Sequence, residues 1–236
     1  MNLKSLFPFT LRRILKRKAG VPDTWNSLIQ LKDKHSFNPK IIFDIGAYKG
    51  DWTKMCLKIY PKSKFYLFEP QDCLSNFLNS FQNKNIVYEN ILFGDQNNKE
   101  VKFYQFRTSS SILKFGENIP SVKKRTRSLD NYIKDNKIGA IDILKVDVQG
   151  YELNVLKGAI SSLRIIEILI IEVSFLEIYE KSPLASRIIE FLDKKDFQIF
   201  DVVDFKYRPL DNNLFQVDMF FINKKSKIIN DKRYSL

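Results

Sequence analysis

Asp44, Glu69, Asp95, Asp147 and Glu172 each lie at or just beyond the end of a short apolar run, and this recurrence is the chain's first sign of chemistry. A carboxylate at the carboxyl end of a buried strand can cap the next helix, hold a ligand hydroxyl or cation, or take up a proton. The first of the five opens a glycine turn, Asp44-Ile45-Gly46-Ala47-Tyr48-Lys49-Gly50, followed by a helical apolar pattern at Trp52, Met55, Cys56 and Ile59. A strand, a tight turn and a helix N-terminus present backbone N–H groups to a nucleotide-like ligand. The Gly-x-x-x-Gly spacing alone is also explained by the steric needs of a strand–helix junction.

Glu69 stands 25 residues after Asp44, with Pro70 starting the next helix. An acid at the tip of the second strand is placed to accept hydrogen bonds from both hydroxyls of a ribose. The third tip, Gly94-Asp95, reads equally well as a cap or turn. Lys145 precedes Asp147 by two residues, so both point to one sheet face, where a buried lysine needs a partner acid. Glu152 complements the start of a helix. His35 precedes the first strand, which puts it at the opposite edge of the sheet from these acids. Ser109-Ser110-Ser111 offers hydroxyls to a cofactor carboxylate or an acceptor, or simply turn chemistry.

The chain has no Gly-Lys-Ser/Thr loop and no complete Gly-x-Gly-x-x-Gly. Acids gathered around one glycine turn repel a pyrophosphate and suit a cationic nucleoside. S-adenosylmethionine, with its sulfonium and ammonium groups, has that charge. Cys56 and Cys73 show no metal-ligand or disulfide spacing, so a divalent ion is without support.

The elements that must position these groups alternate. Apolar runs at 41–45, 64–69, 86–92, 141–148, 165–173, 197–203 and 214–222 predict strands. Helical patterns at 51–60, 71–82, 151–163 and 183–195 lie between most of them, and a further helix runs from Trp25 to Lys34. This predicts an α/β fold with a mainly parallel seven-stranded sheet. Residues 99–106 and 121–127 read as an inserted hairpin before a helix at 129–136. The last two strands lack an intervening helix, so the final one is expected to be antiparallel. One domain over 41–223 is predicted, between a basic helical extension at 1–40 and a basic tail at 224–236.

Most of the formal net charge of +12 belongs to the ends. Residues 1–20 carry six cations and no acid, residues 223–236 carry five cations and one acid, and only a surplus of two is left for residues 21–222. A nucleic-acid footprint belongs on the body of a domain, so the overall charge argues less for that partner than its size suggests. Leu3, Leu6, Phe7, Leu11, Ile14 and Leu15 are spaced as an apolar stripe among the N-terminal cations, interrupted by Pro8. Such a segment lies on an anionic membrane or docks on protein. No apolar run reaches membrane-span length and no secretory h-region is evident, which gives a cytoplasmic expectation, with peripheral contact at the inner membrane face through the tails.

The stretch Phe43 to Thr53, then Phe68-Glu69-Pro70, Ser128-Leu129-Asp130, Asp142 to Glu152 with Leu156-Lys157-Gly158-Ala159, and Ile171-Glu172-Val173, resembles the FkbM-type methyltransferases. The resemblance implies a class I methyltransferase (Rossmann-like) fold with helices on both faces of the sheet. It also implies S-adenosylmethionine-dependent O-methylation of a sugar, glycan or other hydroxylated metabolite. The matching positions give Asp44, Gly46, Ala47, Tyr48, Gly50, Thr53, Glu69, Pro70 and Asp147 as cofactor-binding residues, and the third strand tip adds Gly94 and Asp95 to that set. Asp147, Lys145 and Glu172 form the catalytic group, with Asp147 nearest the methyl as base, acceptor anchor or metal ligand. Tyr48 replaces the family's usual Asn, and Gln149 its usual Glu. Two other readings compete: an RNA methyltransferase, and a binding module that kept the fold without the chemistry.

Overall fold

The computed structural model describes residues 21–106, 109–114, 116–233 and 235. The amphipathic reading of residues 1–20 therefore lies outside the described residues. In chain order the elements are α1 (Thr24–His35), β1 (Ile41–Ile45), α2 (Asp51–Ile59), β2 (Lys64–Phe68), α3 (Asp72–Asn79), β3 (Ile86–Glu89), β4 (Leu92–Phe93) and β5 (Glu100–Tyr104). They continue with β6 (Ser121–Arg127), α4 (Leu129–Asp135), β7 (Ile141–Val146), α5 (Glu152–Lys157), β8 (Ile166–Ser174), α6 (Ala185–Asp193), β9 (Phe197–Tyr207) and β10 (Leu214–Asn223).

The main sheet has seven strands in the order β3-β2-β1-β7-β8-β10-β9. β3, β2, β1, β7 and β8 pair in parallel, and β10 runs antiparallel to both β8 and β9. The chain thus leaves β1 toward β2 and β3 and later returns to its other side at β7, so strand order reverses beside β1. Residues of β7 and β8 are buried on both faces, as helices on each side require. Leu28 and Leu31 of α1, Cys56 and Ile59 of α2 and Leu78 of α3 pack on one face. Tyr132, Val155, Leu156, Ile188 and Leu192 of α4, α5 and α6 pack on the other.

Several boundaries differ from the sequence expectation. The run at 86–92 is two strands: β3 ends at Glu89, and β4 leaves the main sheet to pair with β6, Leu92 opposite Thr126. The helix expected over 151–163 stops at Lys157; Gly158, its C-cap, packs on Gly94, where a Cβ would meet the Gly94 carbonyl oxygen at 2.1 Å. The chain continues into a short 3₁₀ turn at Ser162–Ile165. β5 and β6 form the antiparallel hairpin expected over 99–106 and 121–127, with residues 105–120 as the excursion that joins them. α1, drawn from sequence into the N-terminal extension, is built into the core: Leu28 and Leu31 are fully buried and Tyr60 donates to the Leu28 carbonyl at 2.7 Å.

Candidate active site

A cavity of about 330 Å³ opens at the carboxyl edge of β1, β2, β7 and β8. The glycine turn after β1 forms its floor. The N–H groups of Gly46 and Ala47 both donate to the Phe68 carbonyl, at 2.9 and 3.1 Å, tying the first strand tip to the second. Gly46 has φ +82°, and a Cβ there would lie 1.9 Å from the Asp147 carbonyl oxygen. This position is closed to any side chain. Tyr48 is also left-handed, with φ 47°, and that conformation turns its N–H onto Glu69 at 2.9 Å.

Glu69 accepts from the N–H of Tyr48 on one oxygen and of Gln71 on the other, each at 2.9 Å. Burial pushes its pKa up, and the Gln71 and Tyr48 N–H groups oppose that rise. Asp44 is fully buried behind it. Thr53 Oγ1 donates to Asp44 Oδ2 at 2.7 Å, while Oδ1 has no hydrogen-bond partner and lies 3.9 Å from Lys145 Nζ. Burial raises Asp44, with Lys145 acting against it.

The facing wall is a network of side chains. Lys145 Nζ donates to Asp147 Oδ2 at 2.9 Å. The Gln149 amide nitrogen donates to Asp147 Oδ1 at 2.8 Å and to Glu172 Oε2 at 2.9 Å, and its oxygen accepts from the Tyr179 hydroxyl at 2.8 Å. Glu172 also accepts from Gln216 at 3.0 Å and from Lys206. Burial favours the neutral form of Asp147, but Lys145, Lys206 and the Gln149 amide outweigh it and hold the group below its ordinary range. Burial and the Asp147 charge push Glu172 up, against Lys206. Asp147 thus carries the first negative charge of the pair. It is also the accessible member: its side chain is 26% exposed, that of Glu172 only 2%.

Glu152 secures the turn between them, accepting from the N–H groups of Val148 and Gly150 at 3.0 Å each. Its carboxyl is raised to about 7, burial outweighing the backbone donors. The excursion between β5 and β6 covers this turn. Ser111 Oγ donates to the Gln149 carbonyl at 2.7 Å, and Phe103, Ser110 and Ile112 line the cavity.

Of the residues expected at the site, Asp44, Gly46, Ala47, Tyr48, Glu69, Pro70, Lys145, Asp147 and Glu172 all line the cavity. Thr53 and Gly50 stand behind it, Thr53 holding Asp44 and Gly50 closing the turn with an N–H bond to Ala47 at 2.7 Å. Gly94 and Asp95 are not among the lining residues: Gly94 donates to the Arg127 carbonyl and Asp95 pairs with Lys99. His35 ends α1, its ring edge-on to Phe200. Lining residues that sequence reasoning passed over include Ile91, Leu92, Phe93, Lys206 and Gln216. Lys206 sits between Phe205 and Tyr207, which reads as an exposed edge rather than a ligand wall. Among the described residues no group of three or more His, Cys, Asp or Glu is spaced to hold a metal ion.

Residues 44–199 match the methyltransferase FkbM domain family. The chain belongs to the FkbM methyltransferase family. The matched span runs from Asp44 to the middle of β9 and takes in both carboxylate walls. Among solved structures, the chain is similar to magnesium protoporphyrin IX methyltransferase from Synechocystis PCC 6803 with bound S-adenosylmethionine, at 9% identity and a TM-score of 0.50, covering 85% of this chain and 78% of that one. It is also similar to TrmK from M. capricolum in complex with S-adenosylhomocysteine, at 13% identity and a TM-score of 0.49, covering 85% and 68%. At such identities the likeness is one of fold, the class I methyltransferase fold. No curated protein matches the chain.

The residues present fit the cofactor of such a family, S-adenosylmethionine. Asp44, Asp147, Glu172 and Asp218 outnumber Lys145 and Lys206, and burial raises three of the four, so the cluster offers carboxylates whose ionised form a sulfonium or an ammonium would favour. The unpartnered Asp44 Oδ1 adds a buried acceptor to that wall.

Proposed function

We propose that this FkbM-family chain is an S-adenosylmethionine-dependent O-methyltransferase acting on a hydroxyl of a sugar, a glycan or another hydroxylated metabolite. The observation that carries the reading is Asp147: an accessible carboxylate, clamped by Lys145 and Gln149, that lines the cavity beside the glycine turn. The bound cofactor supplies a methyl group on a positively charged sulfur. Glu69, already oriented by two backbone N–H groups, has lone pairs left for the two ribose hydroxyls. Ile91, Leu92 and Phe93 offer an apolar wall to the purine. The Gly46–Tyr48 turn receives the methionine end.

While the cofactor would give up its methyl group and leave as the neutral thioether, Asp147 would anchor the acceptor hydroxyl and take up its proton. Being held ionised by its two lysine neighbours, it is ready to accept at neutral pH. The cavity walls would add to this by holding the acceptor in line with the cofactor's methyl group. Isothermal titration with S-adenosylmethionine, followed by a methyl-release assay over a panel of sugars, glycosides and an RNA oligonucleotide, tests the reading. Binding with methyl release to a sugar supports it. Release to RNA alone, or binding without release to any acceptor, rejects it.

A further inference from the structure

The β9–β10 hairpin extends past the parallel strands at the edge where the cavity opens, β9 reaching Tyr207 and β10 starting at Leu214. Phe205, Tyr207 and Leu210 on this hairpin are exposed, Leu210 by 82%. Scattered exposed apolar residues are ordinary on a soluble surface. Three large ones within six positions on one projecting hairpin are not scattered. The turn itself is rigid rather than loose: the Arg208 N–H donates to the Asn213 carbonyl at 2.8 Å, and the Arg208 side chain is bonded to Asp211 through both its Nε and its NH2 group. Among the described residues, Phe205, Tyr207 and Leu210 belong to neither hydrophobic core.

A second observation meets the first at the same corner. The described chain begins at Val21, itself exposed, and Asp204 of β9 donates its N–H to the Pro22 carbonyl at 3.3 Å while its carboxylate accepts the Thr24 N–H at 2.9 Å. The twenty residues before Val21 thus join the body one residue away from Phe205. Those residues carry six cations, no acid, and the apolar set Leu3, Leu6, Phe7, Leu11, Ile14 and Leu15. A basic segment with interleaved apolar residues, tethered beside an apolar hairpin tip, has the composition that an anionic lipid surface attracts and holds.

We infer that the β9–β10 hairpin tip, with Phe205, Tyr207 and Leu210, is a docking surface for an anionic lipid bilayer, working together with the basic residues 1–20. Lys206 lies between two of these residues and lines the cavity. Docking through the tip therefore turns the open edge of the site toward the bilayer, where a lipid-borne hydroxyl would be presented. This consequence rests on the function proposed above; the docking itself does not.

The test is co-sedimentation of the full chain with vesicles of phosphatidylcholine alone and of phosphatidylcholine mixed with phosphatidylglycerol, at low and high salt. The expected result is binding to the anionic vesicles only, weakened by salt, and weakened about tenfold or more by the double substitution Tyr207→Ser with Leu210→Asp. Both side chains are exposed, so the double variant should keep the wild-type melting temperature and the wild-type affinity for S-adenosylmethionine in isothermal titration. Absence of sedimentation with anionic vesicles overturns the inference. So does undiminished binding by the hairpin variant, which would assign the membrane contact to the charged tail alone. A dimer in light scattering that the same variant dissolves overturns it as well, by showing a second copy to be the occupant. Loss of cofactor affinity in the wild-type chain would count against the proposed function and leave the vesicle result standing.

Discussion

On one side of the cavity Glu69 is gripped by the backbone N–H groups of Tyr48 and Gln71; on the other, Asp147 and Glu172 are gripped by the side chains of Lys145, Lys206, Gln149 and Gln216. The first grip comes from the turn just after Glu69 and from the glycine turn 21 residues before it, and is fixed once β1 and β2 pair. The second draws on β7, its following turn, β9 and β10, and every donor in it can be substituted. Backbone donors hold a carboxylate in place without bringing a charge near it. Lysines and amides hold it in place and also set which of two carboxylates ionises first. A wall of the first kind is suited to recognising an invariant cofactor, and a wall of the second kind to handling a proton.

The sharpest way to break this contrast is to neutralise one carboxylate on each side. Asp147→Asn should lower turnover by about 10²–10⁴-fold while leaving the S-adenosylmethionine Kd within about tenfold. Glu69→Ala should instead weaken cofactor binding by roughly 10- to 100-fold, the worth of hydrogen bonds to a charged acceptor. Calorimetry and single-turnover rates on the two variants separate the effects. Equal loss of binding in both would erase the division between the walls.

The point where the walls touch is Gly46, and its substitution tests how closely they are coupled. Gly46→Ala forces a left-handed alanine whose Cβ collides with the Asp147 carbonyl, and should cost about 3 kcal/mol or more. Gly50→Ala, with φ +68° but nothing nearer than 3.4 Å, should cost about 1 kcal/mol. Urea unfolding of the pair measures the difference; a Gly46→Ala variant no less stable than Gly50→Ala would mean that the two strand tips yield to one another.

The wall proposed for the cofactor was legible as a set of strand tips because its signals are local. Asp44, the glycine turn and Glu69 occur at strand tips that hydrophobic periodicity marks, and the pairing of Lys145 with Asp147 follows from their spacing of two. The reaction wall was legible only in part. Glu172 could be seen at a strand tip, but its partners Lys206 and Gln216 come from strands whose alternation looks like a solvent-facing edge. Register shifts in β10 on both sides of Gln216 set how it and Lys206 meet, and no periodicity announces a bulge. The apolar wall at Ile91–Phe93 was hidden because β4 leaves the main sheet for β6, a long-range pairing. Asp95 shows the reverse case: a strand-tip acid that is not among the cavity's lining residues and pairs with Lys99, four positions on.

Removing a single lysine from the reaction wall gives a smaller effect than removing the carboxylate it holds. Lys206→Met leaves the buried Glu172 without its cation. Breaking a fully buried pair costs about 3–5 kcal/mol. The Lys206 side chain is 44% exposed and Gln149 and Gln216 remain as donors, so the expected loss is only about 1–2 kcal/mol. Chemical denaturation at neutral pH checks it, and a loss as large as that of a fully buried pair would show that the amides contribute little.

Glu152 is the mixed case, a carboxylate of the reaction wall held by backbone N–H groups, and its pH response gives the smallest and most discriminating test. Burial lifts it to about 7 in the folded chain, against about 4.3 for a glutamate in the unfolded one. Between those values the folded state keeps a proton that the unfolded state has released. Stability from this group is therefore full below about pH 4 and falls as pH rises toward 7, levelling off above it. Asp218, raised to about 6, adds a slope of the same sign. In Glu152→Gln the decline of melting temperature between pH 5 and 7.5 should be shallower than in the wild type, yet not absent, because Asp218 still titrates. If the two slopes coincide, the Val148 and Gly150 N–H groups hold Glu152 ionised despite its burial. Backbone grip would then settle protonation on both walls, and the contrast between them would reduce to Asp147 and Glu172 alone.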